Sequence, residues 1–266
     1  MRSIWNGTIS FGLVHIPVKL YSATRSQELH FHYLHERDGG RIKNERICTK
    51  CGQEVEANEL VRGYEVEQGR YITLTEADFK KVDSNSTHTL VLETFVDPVE
   101  IDPVLFAKPS YLAPEEKSLP LYAVLHEALK RTQKVGIAKL TFHEREHLVA
   151  IKPSGRALML DILYFADEIA PPKGLLLPKS NEQPDDEEVE MAERLIEQMT
   201  DRFAPTQYRD MYRDGLLALI EKKRDGEKIR LKPLPQRQAT EQRELLATLK
   251  ASIQKAEEKQ KRVLAA

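Results

Sequence analysis

The sequence predicts a mainly β protein with α-helices: an antiparallel β-barrel or sandwich, then a helical C-terminal arm. Three observations predict it. Up to about residue 165, runs of β-branched and aromatic residues recur between Gly and Pro breaks. These runs lack the βαβ rhythm of a parallel sheet, which leaves antiparallel architectures. After a proline-rich stretch, Ala170–Pro184, the apolar spacing changes to that of helices.

In chain order, Ser3–Ile9 and Leu13–Tyr21 read as strands, with Gly7 and Gly12 as bulges or tight turns. Pro17 argues for an edge or a strand start. Tyr71–Leu74, Thr87–Val96 and Ala138–Ile151 follow, and a turn at Pro153–Gly155 precedes a strand over Ala157–Phe165. Two helices interrupt them. Thr75–Val82 opens on Thr75 and Asp78 as a cap. Ser118–Gln133 has Ser118 as its cap, Pro120 in its first turn, and Leu121, Tyr122, Leu125, Ala128 and Leu129 on one face, with Gly136 as its stop. Beyond the linker, Asp185–Phe203 begins with acidic residues, which favour a helix N-terminus, and carries Val189, Ala192, Leu195, Ile196, Met199 and Phe203 at helical spacing. Thr206–Lys223 repeats the pattern with Tyr208, Met211, Tyr212, Leu216, Leu219 and Ile220. Pro233 and Pro235 break the chain before a last helix, Thr240–Arg262, striped by Leu245, Leu246, Leu249 and Ile253. The expected division is 1–170, 171–226 and 227–266.

The 266 residues are 41% hydrophobic and 31% charged, enough for a sizeable core. No apolar run approaches the ~18 residues of a membrane span, and the N-terminus lacks the features of a signal peptide. Cys48 and Cys51 are the only cysteines, so a reducing cytoplasm is the expected compartment. The net charge, 40 − 42 = −2, hides segregation. Asp161–Asp201 holds three basic and twelve acidic residues; Lys222–Arg262 holds thirteen basic and six acidic. Arg37–Lys50 nets +3, from Arg37, Arg41, Lys43, Arg46 and Lys50 against Asp38 and Glu45. Leu129–Arg156 nets +5, with Lys130, Arg131, Lys134, Arg145 and Lys152 among its bases. Basic islands are often only solvated faces. Segregated from an acidic region, they fit one surface for a polyanion and another that avoids it.

Two motifs point to metal chemistry. Cys48-Thr49-Lys50-Cys51-Gly52 is half of a zinc ribbon, and a structural Zn²⁺ needs two further ligands. His30, His32 and His35 lie upstream, and a second copy of the chain is the other source; a pair of reduced thiols is the bland reading. His143-Glu144-Arg145-Glu146-His147 matches H-x-x-E-H, but that chemistry needs a helix and the flanks are strand formers. The pentapeptide is expected near a hairpin tip, and a zinc hydrolase built on it is a weak rival. No phosphate-binding glycine loop or nucleophile elbow occurs, so the expectation is a protein that is not an enzyme and requires no cofactor beyond this candidate zinc.

Longer strings carry a family resemblance. The opening Arg2-Ser3-Ile4-Trp5-Asn6-Gly7-Thr8-Ile9-Ser10-Phe11-Gly12-Leu13-Val14, continued by Ile16-Pro17-Val18-Lys19-Leu20-Tyr21-Ser22-Ala23-Thr24, resembles the N-terminal signature of the bacterial Ku proteins. So do Tyr111–Pro114, Lys134–Ala138, Arg145–Ile151 and Tyr164–Glu168, and the resemblance spans residues 2–262. It implies a Ku-type β-barrel core with a ring-forming excursion, about residues 25–71, and a homodimer closed around double-stranded DNA ends in non-homologous end joining. It also implies a helical arm and a C-terminal segment that recruits the pathway's ATP-dependent DNA ligase. Within that frame the nucleoid is the expected place of work. Charge and position nominate Arg37, Arg41, Lys43, Arg46 and Lys50 as DNA-facing, then Arg145, Lys152, Lys130, Arg131 and Lys134. Leu245, Leu246, Leu249 and Ile253 are the candidate ligase-docking stripe. A zinc-ribbon nucleic-acid module built on Cys48 and Cys51 is the main alternative.

Overall fold

The structure is a computed structural model that describes residues 1–83, 88–142, 145–178, 184–226 and 245–264. Residues Met1–Pro172 form one compact unit and Lys173–Ala266 a second.

The first unit is built on a closed barrel. Its strands are β1 (Trp5–Phe11), β2 (Val14–Ser22), β5 (Thr89–Val96), β6 (Phe106–Pro114), β7 (Val135–Phe142), β8 (Arg145–Ser154) and β9 (Ala157–Leu163), in the order β1-β2-β6-β9-β8-β7-β5. Every pairing is antiparallel except the seam between β1 and β5, where Thr8, Ile9 and Ser10 run parallel to Thr89, Leu90 and Val91. Closure leaves the barrel no free edge. The interior is filled by Ile9, Ile16, Val18, Leu20, Leu90, Leu112, Leu140, Ile151, Leu158 and Leu160, all fully buried.

Helix α2 (Leu119–Thr132) joins this core through Tyr122, Leu125 and Leu129. The Tyr122 hydroxyl donates to the Leu112 carbonyl at 2.6 Å and accepts the Leu158 N–H at 2.5 Å. Leu112 and Leu158 face each other at the end of the β6–β9 ladder, so one phenol ties helix to sheet where the strands part. Burial pushes its pKa up.

Several expectations need correction. Strand β6 was missing from the sequence reading, because Pro109 and Pro114 look like breakers. Pro114 ends the ladder with β2, and Pro109 lies one residue beyond its other end, so neither missing N–H interrupts that ladder. Pro17 lies inside β2, not at an edge. It faces Thr8, whose N–H goes the other way to the His88 carbonyl. Gly7 is no bulge: it sits in register opposite Val18, and a Cβ there would collide with the Trp5 ring and the His88 carbonyl. Gly12, at φ +59°, does make the β1–β2 turn. Helix α2 ends because Gln133 turns left-handed at φ 54°; Gly136 already belongs to β7. The Ser118 hydroxyl caps nothing and instead donates to the Pro17 carbonyl at 2.8 Å.

In the second unit, α3 (Asp186–Met199) is capped by the Asp185 carboxylate, which accepts from the Glu187 and Glu188 N–H groups. Helix α4 runs over Met211–Arg224, later than expected, because Pro205–Gln207 forms a separate 3₁₀ turn and Asp210 supplies the cap. Helix α5 (Leu245–Leu264) packs on α3. Gln198 donates to Glu257 at 3.1 Å, and Lys250 lies 3.8 Å from Glu187. Leu245, Leu246, Leu249 and Ile253 are half-buried. The predicted break at Pro233 and Pro235 lies outside the described residues.

Candidate nucleic-acid interface

Among the described residues no barrel strand lies between Ser22 and Thr89, the stretch that contains the expected excursion, 25–71, and that holds two regular elements. They are the hairpin β3 (Arg62–Glu67) with β4 (Arg70–Leu74), and helix α1 (Glu76–Asp83). Strand β3 was not predicted; all its residues are exposed, so it lacks the half-buried alternation that reveals a strand. The cap of α1 is as expected: the Asp78 carboxylate accepts from the Thr75 N–H and hydroxyl, which lowers its pKa.

No described side chain of the excursion is buried, and Phe31 and Tyr33 are 66% and 86% exposed. Apolar surface of this extent is characteristic of interaction sites. Its first half is a ribbon with two tight turns. Leu34 bridges Arg41, the Gly39 N–H donates to the His35 carbonyl, and Gly40 and His35 donate to the Asp38 carboxylate and lower its pKa. Ile47 bridges Glu54 around the second turn, which holds Cys48 and Cys51.

Charge divides the excursion. Residues 37–50 net +3, whereas Gln53–Glu67 carries Glu54, Glu56, Glu59, Glu65 and Glu67 against Arg62 alone. A phosphate backbone is therefore attracted to the first half and repelled by the second.

The nominated bases fall into two groups. Arg37, Arg46 and Lys50 are exposed on the ribbon, and Lys130 is exposed near the end of α2; none makes an ion pair or side-chain hydrogen bond among the described residues. The others have partners. Arg41 donates to the His32 ring at 3.0 Å, and Lys43 meets Glu45 at 3.2 Å. Arg131 pairs with Glu127 one turn back on α2, and Lys134 with Asp97 at 2.7 Å. Arg145 pairs with Glu168, whose carboxylate also accepts the Phe165 N–H; both lower its pKa. Lys152 lies 2.7 Å from Asp161, which is 7% exposed, and 4.9 Å from the Phe106 ring. That ammonium neutralises a buried carboxylate, a structural task that charge counting along a sequence does not reveal. Sequence reasoning passed over Arg62 and Arg70, which lie apart from any basic run. Arg62 stacks 4.6 Å from the Phe79 ring centre, and Arg70 meets Glu67 at 3.7 Å.

At the cysteine turn the Cys48 pKa is lowered, chiefly by the backbone N–H of Cys51 and then that of Lys50, with the Cys51 thiol and the Lys50 charge adding to the effect. Of the upstream histidines, His32 is contacted by Arg41 and His35 by Asp38. Among the described residues no group of three His, Cys, Asp or Glu side chains is placed to hold a metal ion. The H-x-x-E-H motif is not helical where it is described. Glu146 and His147 are consecutive residues of β8, so they point to opposite faces, and the His147 ring donates to the Phe142 carbonyl at 3.3 Å. His143 and Glu144 lie outside the described residues. Among the described residues no helix is long and apolar enough to cross a membrane.

Comparison with known proteins agrees with the barrel. The Ku70/Ku80 beta-barrel domain family matches residues 10–191. The chain is 42% identical over 255 residues to the non-homologous end joining protein Ku of Opitutus terrae, covering 95% of this chain and 91% of that one. It is 37% identical to the protein of the same name from Archaeoglobus fulgidus, covering 96% and 99%. To that of Desulfitobacterium hafniense it is 36% identical, covering 97% and 90%. A closed seven-stranded barrel interrupted by an exposed excursion, a family match across most of that barrel and such identity over nearly the whole chain converge: the chain belongs to the Ku family.

Proposed function

We propose that this chain binds the ends of double-stranded DNA in non-homologous end joining, as a homodimer whose two excursions close a ring around the duplex. The reading is one of binding and recruitment, not catalysis. The observation that carries it is the excursion itself: none of its described side chains is buried, and residues 37–50 carry a net charge of +3. A protein that accepts ends of any sequence must read sugar and phosphate, not bases. Exposed Arg37, Arg46 and Lys50 are suited to that, with affinity drawn from counterion release. Arg41 and Lys43 have only exposed local partners and can exchange them for phosphate; Lys152 is reserved for Asp161.

The second copy is supported by apolar surface that a monomer has no reason to display. Helix α4 exposes Met211 and Tyr212, and Leu175, Leu176 and Leu177 are exposed in the linker. Recruitment of the ATP-dependent ligase falls to the C-terminal unit. The stripe Leu245, Leu246, Leu249 and Ile253 is half-buried on a helix packed against α3, so ligase docking uses the rest of the α3–α5 pair, where Ile196 and Met199 are open, or displaces α3.

The test is competition between a linear duplex and a covalently closed circle of the same length. A ring loads only from an end, so the circle is retained only at the roughly micromolar or weaker level of non-specific binding. Equal affinity for both forms would instead favour an open zinc-ribbon module.

A further inference from the structure

We propose that the first half of the excursion also binds unpaired nucleobases, with Phe31 and Tyr33 as the stacking platform for a single-stranded overhang at a DNA end. This rests on the end-binding reading above and adds a second kind of contact to it.

The ribbon sorts its side chains by face. Two backbone bonds flank the Leu34–Arg41 bridge: the Ile42 N–H donates to the Tyr33 carbonyl at 3.1 Å, and the His35 N–H donates to the Gly40 carbonyl at 2.8 Å. Alternation then puts Leu34 and Arg41 on one face and Tyr33 and Ile42 on the other. Tyr33 and Phe31, two residues before it, are the exposed aromatics of the ribbon, and Ile42 beside Tyr33 is 53% exposed. Neither ring packs on another ring among the described residues. The Tyr33 face is therefore open and apolar, with a guanidinium on its reverse.

Charge and shape select the ligand. Residues 30–50 carry five Lys or Arg side chains against Glu36, Asp38 and Glu45. Two of those carboxylates are occupied, Asp38 by the Gly40 N–H and Glu45 by Lys43. Aromatic rings interleaved with cations hold single strands: the cations follow the phosphates, and each ring takes the face of a base, whatever the base. Paired bases offer no free face, because they are stacked on each other. An unpaired strand is flexible enough to lay its bases on the Tyr33 face while its phosphates reach Arg41 around the edge of a ribbon one backbone thick. Stacking of this kind tolerates every sequence, as a protein that accepts any end requires.

The experiment uses full-length protein and three probes: a blunt duplex, the same duplex with a short single-stranded overhang, and that overhang made abasic. The abasic probe keeps every phosphate and removes every base, so the difference between the two overhangs reports stacking alone. The wild type should bind the base-bearing overhang on the order of ten-fold more tightly than the abasic one. A 2-aminopurine in the overhang should be quenched on binding. The Phe31→Ala/Tyr33→Ala variant should lose the preference and the quench, while its blunt-duplex affinity, molar mass by light scattering and thermal unfolding stay those of the wild type. Phe31→Trp/Tyr33→Trp should keep both. Equal affinity of the wild type for the two overhangs overturns the platform, as does a preference that survives the alanine variant. A monomeric alanine variant overturns it too, by giving the two rings to the contact between copies. Failure of the wild type to bind the blunt duplex at all overturns the end-binding reading instead, and the comparison of the two overhangs still decides the platform.

Discussion

Reversing charge at Arg37 and Arg46 together weakens binding to linear duplex of any sequence, on the order of 100-fold at about 0.1 M salt. Both guanidiniums are exposed on the positive half of the excursion and have no carboxylate partner among the described residues. Nothing local holds them, so phosphate is their natural counter-charge. In a homodimer the double substitution removes four contacts. The slope of log affinity against log salt should therefore flatten by about 3.6, at ~0.9 per phosphate. Lys152→Gln is the informative comparison. Its ammonium neutralises buried Asp161, so its loss should cost about 1–2 kcal/mol of stability, moderated by its partial exposure, and leave DNA affinity unchanged. Binding isotherms at several salt concentrations check both. If Lys152→Gln weakens DNA binding as much as the double reversal, the DNA-facing surface has been assigned to the wrong residues. A change in sequence preference would show that these side chains read bases.

Tyr122→Phe lowers the melting temperature of the barrel unit by roughly 5–10 °C, through loss of about 2–3 kcal/mol. The substitution leaves the apolar ring in place and removes only the hydroxyl. That hydroxyl serves two backbone groups at once, the Leu112 carbonyl and the Leu158 N–H, and the latter belongs to a fully buried residue. Both would lose their partner where water does not easily reach, which costs more than a net hydrogen bond contributes. Circular dichroism melting is sufficient. An unchanged midpoint would mean that the helix is held by Leu125 and Leu129 alone and that the phenol bridge is dispensable.

Much of the fold was legible because barrel strands alternate. Val18 and Leu20 point inward from β2, and Leu158 and Leu160 do so from β9, so the period of two is written in the sequence. What escaped had physical reasons. Strand β6 contains two prolines, tolerated because of where its ladder with β2 stops, and that is a property of the partner strand. Strand β3 buries nothing, so no period marks it. Helix α2 ends at a left-handed Gln133, which propensity alone does not pick out. The candidate interface was legible as charge but not as availability. Arg37 and Lys152 look alike in a sequence, and only the fold brings Asp161 beneath one of them. The same holds for Leu249 and Ile253: a helical stripe reads as a docking face until another helix of the same chain is found packed against its helix. The C-x₂-C turn was recognisable from spacing alone, whereas the contacts of His32 with Arg41 and of His35 with Asp38 needed the fold.

Encirclement is tested most directly by topology. Protein is loaded onto a linear duplex, the ends are joined covalently, and the complex is challenged with high salt and excess competitor. A closed ring cannot leave a closed circle, so the protein stays bound, and it departs once a restriction cut restores an end. Release from the sealed circle as fast as from the linear fragment would contradict encirclement.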